Sequence, residues 1–310
     1  MRPSKFVTCF LLYFLYTAPH LVQGIDPLSH ELIQWREIRS SNGTKPSDFH
    51  YLVTGGYRPP VNDLVKYAVS IRFGDAKRFF GTNHMCGGSI ISKRAILTAG
   101  HCMYSKRGMM IQARKLRVFA GTPRRLEEAS TTQELRVKKV LPHPKYRPGK
   151  YRHDLGVLQL RDEVSPTEAA AIIPLADKAT TPGQLCTVVG WGTVVQFGPS
   201  PDEAINGDLE VLPNSECTKL ANFNPKGMIC ARNRDDSEVD SCQGDSGGPL
   251  ISENKLIGVV SFGEGCGEKY SAGVYTDVYY YHDWIVENSA HLRLVSQVSL
   301  VLALLQPAWW

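Results

Sequence analysis

Short β-rich runs separated by Gly, Pro and Asn fill the chain from residue 53 to about residue 288 and limit the folds available to it. The clearest runs are residues 67–73, 88–91, 95–98, 116–120, 155–160, 187–189 and 256–262. Strands at such spacing are typical of a barrel or sandwich rather than of alternating strand–helix units. Only residues 281–287 indicate a helix, near the end of this region. The sequence therefore predicts an all-β fold.

Composition excludes one class of protein and gives no support to another. The 310 residues are 43% hydrophobic and 21% charged, which is ordinary for a globular protein and excludes disorder along the whole chain. The net charge of +5 comes from 35 Lys and Arg against 30 Asp and Glu spread along the chain. This balance does not indicate binding to nucleic acid.

The first residues have the pattern of a secretory signal peptide. Arg2 and Lys5 precede an apolar run over 6–16, and residues 22–24 provide a cleavage site. Residues 1–24 are therefore predicted to be removed and the protein to be secreted to the extracellular space. Residues 25–52 are polar and include the glycosylation sequon at 42–44, so we expect an exposed pro-segment in a glycoprotein.

The last residues, 289–310, differ from everything before them. Residues 298–305 are apolar, and small residues at 288–290 lie upstream of an interrupted polar spacer. This pattern resembles a lipid-anchor signal of the glycosylphosphatidylinositol type, which is removed during processing. The alternative is an amphipathic tail that packs on the domain. A membrane partner is expected only if the tail directs lipid anchoring.

Because the protein is predicted to be secreted, its cysteines are expected to form disulfides. Cys9 leaves with the signal peptide, and the seven that remain are Cys86, Cys102, Cys186, Cys217, Cys230, Cys242 and Cys266. In an oxidising compartment most of them should be paired, and the odd count leaves at least one over. The sequence has no CxxC pair, so no structural zinc site is expected.

Three segments carry the residues of a nucleophilic serine site. They are Leu-Thr-Ala-Gly-His-Cys at 97–102, His-Asp-Leu-Gly-Val-Leu at 153–158 and Asp-Ser-Cys-Gln-Gly-Asp-Ser-Gly-Gly-Pro at 240–249. A serine among glycines can lie in a tight turn, where the N–H groups of Gly244 and Ser246 stabilise a tetrahedral oxyanion. A serine hydroxyl also needs a base, which His101 can supply, and a carboxylate such as Asp154 to orient that base.

With these motifs the chain resembles the chymotrypsin/trypsin family of serine endopeptidases, and its overall texture is similar to that of insect secreted members. The resemblance covers residues 53 to about 288. Further matching motifs are Cys-Gly-Gly-Ser at 86–89, Gly-Trp-Gly at 190–192, Ser-Phe-Gly at 261–263 and Gly-Val-Tyr at 273–275. It implies two six-stranded antiparallel β-barrels, a short C-terminal helix and an active site in the cleft between the barrels.

The family pattern assigns a role to each matching residue. Ser246 is expected to be the nucleophile, His101 the general base and then acid, and Asp154 its orienting partner. Gly244 and Ser246 are expected to form the oxyanion hole. No cofactor and no metal are expected, since Thr122 stands where calcium-binding relatives have a glutamate.

Asp240, six residues before Ser246, matches the floor of the primary specificity pocket in trypsin-like members. Gly263 and Gly273 match its walls, so the resemblance implies cleavage of protein or peptide substrates after Arg or Lys. Phe262 replaces the usual tryptophan beside the pocket, which predicts altered contacts next to it.

The family also implies how the cysteines pair. The implied disulfides are Cys86–Cys102, Cys217–Cys230 and Cys242–Cys266. Cys186 is left over, because Ser252 occupies the position of its usual partner, and we expect a buried and inert thiol.

The amino terminus departs from the family pattern. Family members become active when cleavage after a basic residue exposes a new amino terminus. The matching residue here is Val53, but the residue before it is Leu52, which is not basic. The freed amine is expected to pair with Asp245. Activation by a protease that prefers Leu or Tyr, or by trimming from Arg39 or Lys45, is left open; without the cut, Asp245 has no partner and its loop is expected to stay poorly formed.

Two alternatives concern partners. A non-cleaving homologue that acts in a protease cascade is the rival to an enzyme, although all three catalytic residues are present. An enzyme would also be a target of serine protease inhibitors. A set of basic residues allows two interpretations, a surface patch for an acidic partner and an ordinary solvated face, and the second is favoured. This set is Arg114, Lys115, Arg117, Arg124, Arg125, Lys138 and Lys139.

Overall fold

The computed structural model describes residues 55–74 and 79–289. The predicted signal peptide, the pro-segment with its sequon, and Val53 lie outside the described residues. The tail beyond Ser289, with its lipid-anchor pattern, does as well.

Twelve strands account for most of the described regular structure. The first six are β1 (Ala68–Phe73), β2 (His84–Ser92), β3 (Ala95–Thr98), β4 (Leu116–Ala120), β5 (Gln133–Pro142) and β6 (Gly156–Leu160). The other six are β7 (Leu185–Gly190), β8 (Ile205–Val211), β9 (Met228–Arg232), β10 (Pro249–Ser252), β11 (Lys255–Phe262) and β12 (Gly273–Asp277).

The strands form two closed barrels with the same antiparallel topology. The first has the order β1-β2-β3-β6-β5-β4, and the second has the order β7-β8-β9-β12-β11-β10. Closure pairs each of these twelve strands on both sides, so neither described barrel has an open sheet edge. The predicted all-β fold of two six-stranded barrels is confirmed.

The longest strand, β5, shows how the sequence sets the register. Leu135 and Val137 are buried while their neighbours face solvent, as the period of two requires. The pairing with β6 then shifts between Val137 and Lys139. This β-bulge leaves Lys138 and Lys139 both exposed and brings Val140 back to the core.

Two helices accompany the barrels in the described part of the chain, α1 (Asn214–Cys217) and α2 (His282–Ser289). The second corresponds to the helix predicted at 281–287 and buries Ile285 at the end of the fold. No helix among residues 55–74 and 79–289 has the length and apolar character needed to span a bilayer.

Arg125 corrects the interpretation of the basic set as a solvated face. It is only 8% exposed, and its guanidinium donates to the carbonyls of Gly81, Ser200 and Pro201 at 2.8–3.1 Å. A buried guanidinium needs such partners, since an unpaired one is costly. Arg125 thus joins a loop of the first barrel to a loop of the second.

Candidate active site

The barrel topology brings His101 and Asp154 together. His101 follows the end of β3 in a short 3₁₀ turn, and Asp154 lies two residues before β6. Strands β3 and β6 are antiparallel neighbours, with Thr98 opposite Gly156. The end of one strand therefore lies beside the start of the other, although the two residues are 53 positions apart.

The Asp154 carboxylate holds His101 in one orientation. Its Oδ1 accepts the backbone N–H of His101 at 2.8 Å, and its Oδ2 accepts Nδ1–H of the same residue at 2.8 Å. The Oδ2 atom also accepts the Ser261 hydroxyl at 2.6 Å. Because an ionised carboxylate only accepts, the proton must be on Nδ1, which leaves Nε2 free to act as a base.

Asp154 also determines the protonation of His101. Burial lowers the pKa of the imidazole, but the charge of Asp154 and its hydrogen bond raise it by more, so the pKa lies above its ordinary value of 6.5. Asp154 is itself buried, at 2% exposed, where water screens this attraction weakly. His101 is half-buried and reaches the surface.

Backbone contacts hold Ser246 next to the His101 turn. The N–H of Gly87 donates to the Ser246 carbonyl at 2.8 Å, and Cys102 Sγ lies 3.6 Å from the same oxygen. The following Gly247 has φ of +80° and packs against Thr98 so closely that a Cβ would lie 2.1 Å from its hydroxyl. No hydrogen bond joins Ser246 Oγ to His101 Nε2 among the described residues; such bonds often form only when substrate is present.

The turn before Ser246 leaves two amide donors available. Gly244 has φ of +108°, a conformation that favours glycine, and a Cβ there would lie 3.2 Å from the Cα of Gly192. Among the described residues, the N–H groups of Gly244 and Ser246 donate to no backbone carbonyl. Two free donors in one tight turn are what a tetrahedral oxyanion requires.

Asp245 lies in the same turn and is 1% exposed. Its carboxylate accepts the N–H groups of Gly192 at 2.7 Å and Cys242 at 3.0 Å. Burial raises its pKa to about 6, although both hydrogen bonds act in the opposite direction. The carboxylate fits because residues 190 and 192 are glycines, where a Cβ would lie 2.1 Å from its oxygens. No charged side chain among the described residues forms an ion pair with it.

Asp240, Gly273 and Gly263, the residues expected to form the primary specificity pocket, lie next to one another in that order. A Cβ on Gly273 would lie 3.0 Å from Asp240 Oδ1, and a Cβ on Gly263 would lie 3.9 Å from the Cα of Gly273. Asp240 is 5% exposed and accepts the N–H groups of Ser241 and Gly267. Burial raises its pKa to about 6. This carboxylate has no cationic partner in the described part of the chain.

Three disulfides brace the site. They are Cys86–Cys102, Cys217–Cys230 and Cys242–Cys266. The first closes the loop that carries His101, and the third joins the Ser246 segment to the segment that follows Gly263. The sulfurs of Cys86 and Cys102 lie within 4.8 Å of a His101 nitrogen, but disulfide sulfurs are not the thiolates that bind metal ions.

Cys186 is a free thiol, and it is the one cysteine outside a disulfide among the described residues. It is buried in β7, and its burial raises the pKa of the thiol to about 12, so the thiolate form is scarce. Ser252, at the position of the usual partner cysteine, instead donates its hydroxyl to the carbonyl of Leu185 at 2.6 Å.

A polar chain that the sequence did not predict lies behind the turn that contains Gly244 and Ser246. Arg72 Nε donates to Ser70 Oγ, Ser70 Oγ contacts His84 Nδ1 at 2.8 Å, and His84 Nε2 contacts the carbonyl of Gly244 at 2.9 Å. The chain fixes the peptide that follows Gly244. Alternation along β1 places Val69 and Ile71 in the hydrophobic core and Ser70 on the opposite face, but nothing in the sequence links His84 to residue 244. The role of Ser261 beside Asp154 was missed for the same reason.

Comparison with known proteins gives one family. Residues 53–285 match the family model described as Trypsin. Trypsin 5G1 of Aedes aegypti is 34% identical over 84% of this chain and 91% of its own length. Human Trypsin-3 is 33% identical over 83% of this chain and 81% of its own length. Human Kallikrein-8 is 36% identical over 68% of this chain and 79% of its own length.

Proposed function

Since the chain belongs to the trypsin family and is a serine endopeptidase, we propose that it cleaves protein and peptide substrates after Arg or Lys. The observation that carries this specificity is the buried carboxylate of Asp240 beside Gly273, with Gly263 next to that glycine. A buried carboxylate is costly unless a cation pairs with it. The two glycines leave room for a long side chain whose charge meets Asp240.

The reaction proceeds through an acyl-enzyme. His101 Nε2 takes the proton of Ser246 Oγ as that oxygen attacks the carbonyl carbon of the scissile peptide bond. Asp154 stabilises the imidazolium that forms, through the Nδ1 hydrogen bond of 2.8 Å. The N–H groups of Gly244 and Ser246 bind the oxyanion of the tetrahedral intermediate.

Collapse of that intermediate breaks the C–N bond, and His101 gives its proton to the leaving amine. The acyl group remains on Ser246. Water then attacks the ester while His101 takes a proton from it, and the return of that proton to Ser246 Oγ releases the new carboxyl terminus. The protein needs no further group for these steps.

Asp240→Ser tests the proposed specificity. Without the carboxylate, the guanidinium of the substrate is buried unpaired, which costs about 3–5 kcal/mol. We therefore expect kcat/KM for arginyl peptides to fall at least about a hundredfold. Asp283→Ser, which removes an exposed carboxylate from α2, is the matched control and should retain full activity. Undiminished cleavage after Arg by Asp240→Ser would show that the pocket lies elsewhere.

We propose that the protein is made as a zymogen and activated by a cut before Val53. Asp245 supports this step, because its buried carboxylate has backbone donors but no charged side chain as a partner among the described residues. A new α-amine at Val53 would supply the missing cation and hold the oxyanion turn in place. The cut itself must come from an activating protease that accepts Leu52.

A chain that begins at Val53, released from a cleavable fusion, tests this step. We expect it to hydrolyse an arginyl amide, while a chain with one extra methionine before Val53 is at least about a hundredfold less active, the scale of a broken buried ion pair. Equal activity of the two chains would contradict the proposed switch. The mass of the natural protein would report both its start and the fate of residues 289–310.

We propose that the protein acts outside the cell. The signal pattern of residues 1–24 and the three disulfides support this location. Its partners there are protein substrates and serine protease inhibitors that present Arg or Lys to the pocket. Attachment to a membrane depends on processing of the tail.

A further inference from the structure

The loop that leads to Asp154 forms a groove lined by cations. Lys145, Arg147, Lys150 and Arg152 are all exposed and line it, and its volume is about 490 Å³. No carboxylate is among the residues that line this groove. We use the name cationic groove for these four side chains and the space between them.

The charge of the cationic groove is not neutralised within the described residues. None of its four cations forms an ion pair with a carboxylate there, and the Arg147 guanidinium donates only to the backbone carbonyls of Pro144 and Tyr146. Arginines elsewhere differ, since Arg136 is paired with Asp162 at 2.6 Å. The groove therefore presents a local positive potential that favours an anionic ligand.

Packing on both sides fixes the loop that carries these cations. Tyr146 is buried, and its ring contacts that of Tyr104 with 5.6 Å between centroids. At the other end, His153 Nδ1 contacts the Tyr281 hydroxyl at 2.8 Å. The cations are thus presented from an anchored loop, which reduces the ordering cost when a ligand binds.

The groove is continuous with the catalytic site through two aromatic rings. Tyr151 lines the groove, and its ring lies 4.2 Å from that of Phe262, centroid to centroid. Along the chain, Phe262 lies between Ser261 and Gly263. Ser261 donates a hydrogen bond to Asp154, and Gly263 belongs to the proposed wall of the pocket. A substrate chain that leaves the pocket over Phe262 therefore reaches Tyr151 and then the cations.

We propose that the cationic groove binds an acidic segment of the substrate, which lies on the amino-terminal side of the Arg or Lys in the primary pocket. The inference rests on the proposed cleavage after Arg or Lys and narrows its substrates to proteins with Asp or Glu upstream of the cleavage site. An acidic peptide is favoured over a free polyanion because the two aromatic rings connect the groove to the pocket.

Two matched peptides test this proposal. Both carry the same arginyl bond, and one has three Asp residues upstream of it where the other has three Asn. We expect the enzyme to show a kcat/KM about tenfold higher for the acidic peptide, the scale of a few surface ion pairs. The ratio of the two kcat/KM values should fall toward one in about 1 M NaCl, where the Debye length is about 3 Å.

Substitutions identify the groove as the source of the preference. Lys145→Ser, Lys150→Ser and Arg152→Ser combined should bring the ratio of the two kcat/KM values close to one. Lys115→Ser, Lys138→Ser and Lys139→Ser remove the same charge outside the loop and should leave the ratio unchanged. An equal loss in both variants, or no preference in the wild type, would overturn the proposal.

Binding separates this proposal from the proposed function. Cleavage of the Asn peptide reports the arginyl specificity alone. Anisotropy of the labelled Asp peptide on a Ser246→Ala background reports the groove even if neither peptide is cleaved, and binding should weaken about tenfold when the three groove cations are replaced. A sulfated oligosaccharide that binds the groove while the two peptides bind equally would assign it to a polysaccharide and overturn the proposal.

Discussion

Ser246→Ala is expected to lower kcat about a millionfold on an arginyl substrate, since the catalytic groups act as a unit. The hydroxyl is the atom that attacks, and no other side chain in the turn can replace it. The backbone bonds from Gly87 to the Ser246 carbonyl and from Gly248 to the Asp245 carbonyl do not involve this hydroxyl. The variant should therefore fold normally and bind substrate with an unchanged dissociation constant.

The control for this prediction is Ser215→Ala, which removes an exposed hydroxyl from α1. It should have wild-type kcat. His101→Ala and the double variant with Ser246→Ala should each be about as inactive as Ser246→Ala alone, because one missing member already disables the unit. A Ser246→Ala enzyme with most of its turnover intact would contradict the assignment of the nucleophile.

Asp154→Asn is expected to lower kcat about ten-thousandfold, the effect of fixing the wrong histidine tautomer. The Asp154 oxygens accept hydrogen bonds from His101 N–H, His101 Nδ1–H and the Ser261 hydroxyl. An amide has one oxygen and an NH₂ group that donates. If the NH₂ group faces Nδ1, the imidazole proton moves to Nε2, where it prevents acceptance of the Ser246 proton.

The residual activity of Asp154→Asn should also have a changed pH profile. In the wild type the pKa of His101 lies above 6.5, so kcat/KM falls as the pH decreases through that raised value. The variant loses the charge and the carboxylate hydrogen bond that raise the pKa and keeps the burial that lowers it. Its acid limb should therefore move to lower pH.

Asp162→Asn, at an exposed ion pair with Arg136, is the matched control for both readouts. It should leave kcat and the position of the acid limb unchanged. If Asp154→Asn retained wild-type turnover and an unshifted profile, Asp154 would not be the partner that orients His101.

Local patterns were enough to predict most strands of the first barrel. The runs at 95–98 and 116–120 match β3 and β4, because both are short apolar runs bounded by turn residues. The strand at Gln133–Pro142 was missed, since its bulge breaks the alternation at Lys138 and Lys139. The spacing of the apolar residues Leu135, Val137 and Val140 indicates a strand only if one extra residue, a β-bulge, is allowed between Val137 and Val140.

The residues of the candidate site were predicted from motifs, whereas the contacts behind them were not. Motifs report local sequence, and Ser261, His84 and Ser70 act across the fold on residues that are distant in the chain. Arg125 was taken for a surface charge because its partners are backbone carbonyls, which any sequence can supply. The contact of Tyr151 with Phe262 likewise depends on how the two barrels meet.

Digestion of a diverse peptide mixture by the chain that begins at Val53 tests the central claim most directly. The new carboxyl termini would be identified by mass spectrometry and compared with those from a Ser246→Ala digest. The account predicts that Arg and Lys occupy nearly all new carboxyl termini and that these termini are absent from the Ser246→Ala digest. Cleavage without a basic residue at the new terminus, cleavage that persists in Ser246→Ala, or no cleavage by the Val53 chain would contradict it.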